Sequence, residues 1–225
     1  MTGSCCRSST YLALAAAVAL GAGELGAQNY TVDFSDVVGS NGTQISPTHG
    51  TVPGVVTLTN RGKNDFGAGA TTSDICLWTA NYGDLANVAY TCSDAAGVGE
   101  IRFVAMPGYS ITLNSFDIGE YVGRVSGNAE VRLFDIGYGS TLFSSSMALT
   151  SGMHWTLTPG VSSTTGFNLQ WGDSWDYGID NINFTVTQVT APPTSTVPEP
   201  MTVALMGTGL AAIGAVTRLR RRSTE

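Results

Sequence analysis

The chain has 225 residues, of which 12% are charged, and a formal net charge of −7. The charge is unevenly placed: between Gln28 and Ala191 only Arg61, Lys63, Arg102, Arg124 and Arg132 face fourteen carboxylates, a net −9. A surface of that sign repels phosphate backbones and anionic lipid headgroups, which argues against nucleic acid or peripheral membrane binding and leaves cations and neutral polymers such as glycans.

At the N-terminus a polar stretch with Arg7 precedes an apolar run from Tyr11 to Gly23, and Leu25-Gly26-Ala27 then leads into Gln28. This pattern predicts a secretory signal peptide over 1–27, because the apolar run is too short to span a bilayer comfortably. Cys5 and Cys6 precede the run, so they leave with the signal and make no lipid attachment site.

The segment 28–190 is rich in Gly, Thr, Ser, Val and Asn and poor in Lys, and it repeats short alternating apolar and polar runs separated by turn residues. Helical periodicity is nearly absent. Strands are expected at Tyr30–Val38, Val52–Asn60, Ile75–Thr79, Gly99–Ala105, Tyr109–Ile118, Ala129–Ile136, Thr141–Leu149, His154–Leu157, Gly166–Leu169 and Gly178–Val189. About ten strands predict one all-β domain, a single antiparallel β-sandwich. A domain of this size folds without metal or cofactor. In the fifth run, Ile111 and Leu113 share a face but Phe116 and Ile118 fall in the opposite phase, which requires either a bulge or burial on both faces.

Cys76 and Cys92 are the two cysteines of this segment, and a pair in an exported chain predicts a disulfide; the alternative is two buried thiols. Closing the loop Leu77–Thr91 would stabilise the fold by roughly 3 kcal/mol in the chain-entropy model.

Chemistry-bearing patterns are sparse. His49 and His154 stand in unrelated contexts, and there is no Gly-x-Ser-x-Gly nucleophile motif, His-x-x-x-His pair or Cys-x-x-Cys pair, so no enzyme is expected. Paired carboxylates of a polysaccharide-acting hydrolase remain the enzymatic alternative, since pairing is a property of the fold. In Trp171-Gly172-Asp173-Ser174-Trp175-Asp176-Tyr177 the aromatic residues Trp171, Trp175 and Tyr177 are candidate glycan contacts, because ring faces stack on pyranoses while carboxylates accept hydroxyl protons; the alternative is that the large rings close the core. Asp173, Asp176 and Asp180, with Asp33 or Asp36 joining from the first strand, are candidate oxygen ligands for a structural calcium, or solvated turn residues.

Two pieces, Val32-Asp33-Phe34-Ser35-Asp36 and Tyr177-Gly178-Ile179-Asp180-Asn181-Ile182-Asn183-Phe184, resemble the opening and closing strands of jelly-roll, galactose-binding-like β-sandwiches. The resemblance implies a jelly-roll-like fold in which first and last strands lie together and carbohydrate binding is frequent.

After the linker Ala191-Pro192-Pro193-Thr194-Ser195-Thr196, whose composition favours an extended chain, comes Val197-Pro198-Glu199-Pro200. The uncharged stretch 201–217 is long enough for a transmembrane helix of about 25 Å. Arg218, Arg220, Arg221 and Arg222 within 218–225 would hold its end in the cytoplasm. This order of short motif, apolar helix and arginine cluster resembles the PEP-CTERM sorting signal. The resemblance implies that Pro198, Glu199 and Pro200 are read by an exosortase, a membrane transpeptidase that removes the helix, so that a transient inner-membrane anchor gives way to release at the cell surface or into the extracellular matrix. An uncleaved membrane-anchored ectodomain is the alternative. The expected whole is thus an exported, non-enzymatic β-sandwich whose partners are an exosortase and an extracellular polysaccharide.

Overall fold

The computed structural model describes residues 26–93, 97–123, 127–150, 152–172 and 174–189. Residues 1–25 of the expected signal peptide, the sorting motif Pro198-Glu199-Pro200, the apolar stretch 201–217 and Asp173 lie outside these residues.

Alternating short runs bounded by Gly, Asn and Asp turns make fourteen strands among the described residues. They are β1 (Gln28–Val32), β2 (Thr43–Gln44), β3 (Val56–Lys63), β4 (Thr71–Ser73), β5 (Ile75–Trp78), β6 (Val88–Thr91) and β7 (Val98–Ala105). There follow β8 (Tyr109–Glu120), β9 (Ala129–Asp135), β10 (Thr141–Met147), β11 (His154–Leu157), β12 (Val161–Ser163), β13 (Gly166–Gly172) and β14 (Tyr177–Gln188), with one 3-10 turn at Ser174–Asp176 before β14. All pairings are antiparallel. One sheet runs β11-β8-β14-β6-β5-β2, with β1 beside β14 and β12 beside β8; the other runs β10-β9-β13-β7-β3-β4. First and last strands pair from Gln28↔Val186 to Val32↔Ile182.

The inner faces of the two sheets meet in one apolar core, a β-sandwich. Phe103 of β7 bridges the layers, stacking tilted on Phe167 of β13 at 5.0 Å and edge-on to Phe184 of β14 at 5.5 Å. The phase break in β8 is resolved by bulges. Between Asp180↔Asp117 and Asn183↔Ser115, β14 carries one extra residue, with Asn181 in the left-handed region at φ 51°; between Ser115 and Leu113, β8 carries one extra residue, Asn114. The first bulge lets Ile179 and Ile182 face inward together, and the second does so for Leu113 and Phe116. The Asn114 amide nitrogen secures the kink by donating to Asn183 Oδ1 and Thr185 Oγ1.

Several strand limits differ from expectation, and three of the differences have local reasons. The first strand stops at Val32 rather than Val38, because the Asp33 carboxylate accepts from the Ser35 backbone N–H and hydroxyl and turns the chain. β3 begins at Val56, after a tight turn closed between Val52 and Val56. β13 continues past Leu169 to Gly172 and carries Trp171 into the core. The strands β2, β4 and β12 have two or three residues each, and β6 is buried at all four positions, so none offers an alternation to read.

The outer face of the second sheet is polar yet covered. Glu100 on β7 is fully buried and meets the Arg61 guanidinium at 2.6 Å and the Lys63 ammonium at 3.4 Å; the Gln170 amide and Tyr138 hydroxyl donate to it. Gln170 also exchanges two hydrogen bonds with the Gly67 backbone, which fixes the β3–β4 loop over the network.

Candidate functional site

One end of the first sheet carries a patch of aromatic rings. It is built on a glycine pair, Gly119 of β8 opposite Gly178 of β14. A Cβ on Gly119 would lie 2.4 Å from the Tyr82 carbonyl oxygen, and one on Gly178 would lie 2.6 Å from a Val88 methyl, so glycine at both positions lets the β5–β6 loop lie directly on the sheet. Tyr82, fully buried, anchors that loop by a bridge to Tyr121 and by its hydroxyl, which donates to the Trp175 carbonyl. The disulfide Cys76–Cys92, with Cα atoms 5.1 Å apart, ties β5 to the residue after β6.

On this base Trp78, Tyr121 and Trp175 are half-buried and consecutive. Trp78 meets Tyr121 edge-on at 5.5 Å, Tyr121 meets Trp175 at 5.4 Å, and Tyr90 meets Trp78 at 5.6 Å. Edge-to-face contacts of this kind fix each ring by its neighbours while leaving part of it to solvent. A fixed, half-exposed ring surface is chemically suited to the apolar face of a neutral sugar.

Beside the patch runs a polar strip. Asp84 Oδ1 accepts from the His154 backbone N–H at 2.8 Å and lies 2.6 Å from its Nδ1, and this bonding holds the Asp84 carboxyl below the usual range. His154 Nε2 is 3.9 Å from Asp117 Oδ1, which accepts from Thr156; Asp117 Oδ2 accepts from Asn181. Across the ladder, Asp180 is buried, and burial foremost, with the Asp33 and Asp117 carboxylates adding, pushes its carboxyl up to about 6. Its Oδ1 has no hydrogen-bond partner among the described residues. A depression of about 420 Å³ beside β1 is lined by Asp33, Asp36 and His49, whose Nε2 lies 2.9 Å from the Asp33 carbonyl and 3.6 Å from Asp36.

The sequence candidates separate in space. Trp175 lies in the patch. Trp171 is fully buried, its indole against Gly99, and therefore closes the core instead of meeting a ligand. Tyr177 is 1% exposed, and its hydroxyl donates to the Gly127 carbonyl. Both are corrections to the reading of these rings as glycan contacts, and the period-2 series Phe167, Leu169, Trp171 is the signal that marks the first. Asp176 ends the 3-10 turn and Asp180 lies four residues further on in β14, while Asp173 lies outside the described residues. Among the described residues no group of three or more His, Cys, Asp or Glu side chains is placed to hold a metal. The Cys76–Cys92 bond is as expected. Trp78 and Tyr121 were missed, because they come from separate strand ends that only the folded chain brings together.

No family model matches the chain, and no curated protein matches it. Among solved structures, the Podospora anserina GH26-CBM35 β-(1,4)-mannanase is similar at 18% identity with a TM-score of 0.32, covering 61% of this chain and 29% of that one. A mutant of Bacillus subtilis oxalate decarboxylase is similar at 12% identity with a TM-score of 0.16, covering 68% of this chain and 34% of that one. This chain therefore spans about a third or less of either, and at these scores neither likeness carries an argument about function.

Proposed function

We propose that this chain is an exported, non-enzymatic, jelly-roll-like β-sandwich protein of the cell surface or extracellular matrix, and that it contacts a neutral glycan through Trp78, Tyr121 and Trp175. The observation that carries the glycan reading is the half-exposed ring patch, held by its own edge contacts on a cross-linked base. The disulfide supports export, since such bonds persist in oxidising compartments. The net −9 of the domain segment favours a neutral over an anionic polymer. The motif Pro198-Glu199-Pro200, the apolar stretch after it and the terminal arginines serve as a PEP-CTERM signal for an exosortase-type transpeptidase.

The test of the glycan reading is calorimetric titration of the purified chain with cellohexaose, mannohexaose and maltohexaose. The wild-type chain is expected to bind at least one of them. Trp175→Ala is expected to weaken that binding roughly tenfold or more, the effect of about 1.4 kcal/mol, while leaving the fold intact. Undiminished binding by Trp175→Ala, or no binding of any of the three by the wild-type chain, overturns the reading.

A further inference from the structure

At the same end of the sandwich, the outer face of the second sheet holds a depression of about 330 Å³. Its lining includes an apolar part, the Phe66 ring and Val98, and it is shaped by close backbone at Gly172, where a Cβ would lie 3.1 Å from both the Gly97 carbonyl oxygen and the Phe66 ring. Its rim is polar, with Asp65, Asn128 and Glu130.

Two observations indicate that the depression is preformed. The Arg132 guanidinium lies 4.6 Å from the centre of the Phe66 ring and donates through Nε to Glu130 Oε1 at 2.7 Å, so one side chain fixes both an apolar and a polar part of the lining. The loop carrying Asp65 and Phe66 is pinned from below by the paired hydrogen bonds between Gln170 and Gly67.

The lining selects a chemistry. Two carboxylates and an amide offer acceptors for hydroxyl groups, Asp65 through the oxygen that does not take the Phe66 N–H; the Arg132 charge beside the described lining residues is engaged by Glu130, which disfavours an anionic ligand. An aromatic ring beside several acceptors matches a neutral hexopyranose, with the sugar's apolar face on the Phe66 ring and its hydroxyls toward the polar side chains. Gly172 in this lining and Trp175 in the aromatic patch are three residues apart, so their Cα atoms are separated by at most about 11 Å.

We infer that this depression is a second subsite, taking one neutral hexopyranose unit at the end of the sandwich that carries the ring patch; the inference rests on the glycan reading above. The experiment titrates the full chain and its variants Asn128→Ala, Glu130→Gln and Trp175→Ala with the best-bound of the three neutral hexasaccharides, and with hexagalacturonate as the acidic counterpart. Thermal midpoints confirm that each variant is folded, and Asn128, exposed at the rim, is the position least able to disturb the fold.

Each pocket variant is expected to weaken neutral hexasaccharide binding by roughly fivefold or more, the loss of one good hydrogen bond, with hexagalacturonate bound more weakly than the neutral probe throughout. Wild-type affinity in both pocket variants, alongside loss in Trp175→Ala, overturns the subsite and leaves the ring patch standing. Loss in the pocket variants with Trp175→Ala unaffected keeps the subsite and removes the patch. Tighter binding of hexagalacturonate overturns the assignment to a neutral sugar, and no binding of any probe by the wild-type chain overturns both.

Discussion

Asp180 occupies a position that a carboxylate tolerates poorly. Its neighbours are other acids, the chain after β1 covers it, and its carboxyl is pushed up to about 6 from an ordinary value of 3.8. The folded chain thus holds this proton more tightly than the unfolded chain does. The stabilising contribution is full below the unfolded value and is lost as pH rises through about 6, above which folding must bury a charge. Asp180→Asn removes that charge while keeping an oxygen to accept the backbone N–H groups. It is expected to raise stability at pH 8 by the order of 1–3 kcal/mol and to leave it unchanged near pH 4, as measured by denaturant unfolding at both values. An equal effect at the two pH values would refute the assignment. Sequence offered Asp180 as a candidate ion ligand or a solvated turn residue but could not show its burial, because the neighbours Asp33 and Phe34 lie almost 150 positions away. The same limit applies to Glu100, whose partners Arg61, Gln170 and Tyr138 converge from three separate segments.

At the scale of elements, β7 and β13 approach each other closely in the second sheet. Trp171 stands in register with Gly99, and a Cβ there would lie 2.3 Å from the indole ring. Gly99→Ala is therefore expected to cost about 1–3 kcal/mol through overpacking, read as a lower midpoint in urea with an unchanged slope. A variant as stable as wild type would show that the indole has room to shift. The strands that sequence located well, such as His154–Leu157 and Gly99–Ala105, are those in which turn chemistry and alternation agree. The phase break of Ile111, Leu113, Phe116 and Ile118 was also legible as a requirement, and the structure meets it with bulges in both strands. The end of β13 was misplaced because a Gly-Asp-Ser sequence after Trp171 has the composition of a loop, whereas pairing with β7 and β9 on both sides holds it extended as far as Gly172.

For the whole molecule, the sandwich and its acidic balance were legible from composition, while the ring patch was only partly so. Trp175 could be named, but its companions Trp78 and Tyr121 reach it from β5 and β8, and nothing in their local sequence ties the three together. The proposed route of the chain is testable at this scale. Intact mass of the protein from its native host is expected to lack both the N-terminal signal and everything beyond the Pro198 region, with the product in the medium or matrix. A chain still ending at Glu225 and held in membranes would replace the sorting reading with a permanent anchor.

The cross-link between Cys76 and Cys92 encloses the loop that supplies Trp78, Tyr82 and Tyr90. The order of the ring surface is therefore coupled to an oxidant that the reducing interior of a cell does not provide. On the proposed route, ligand competence becomes a late acquisition: the newly made chain crosses the reducing cytoplasm with its platform still unset and gains its grip only after export.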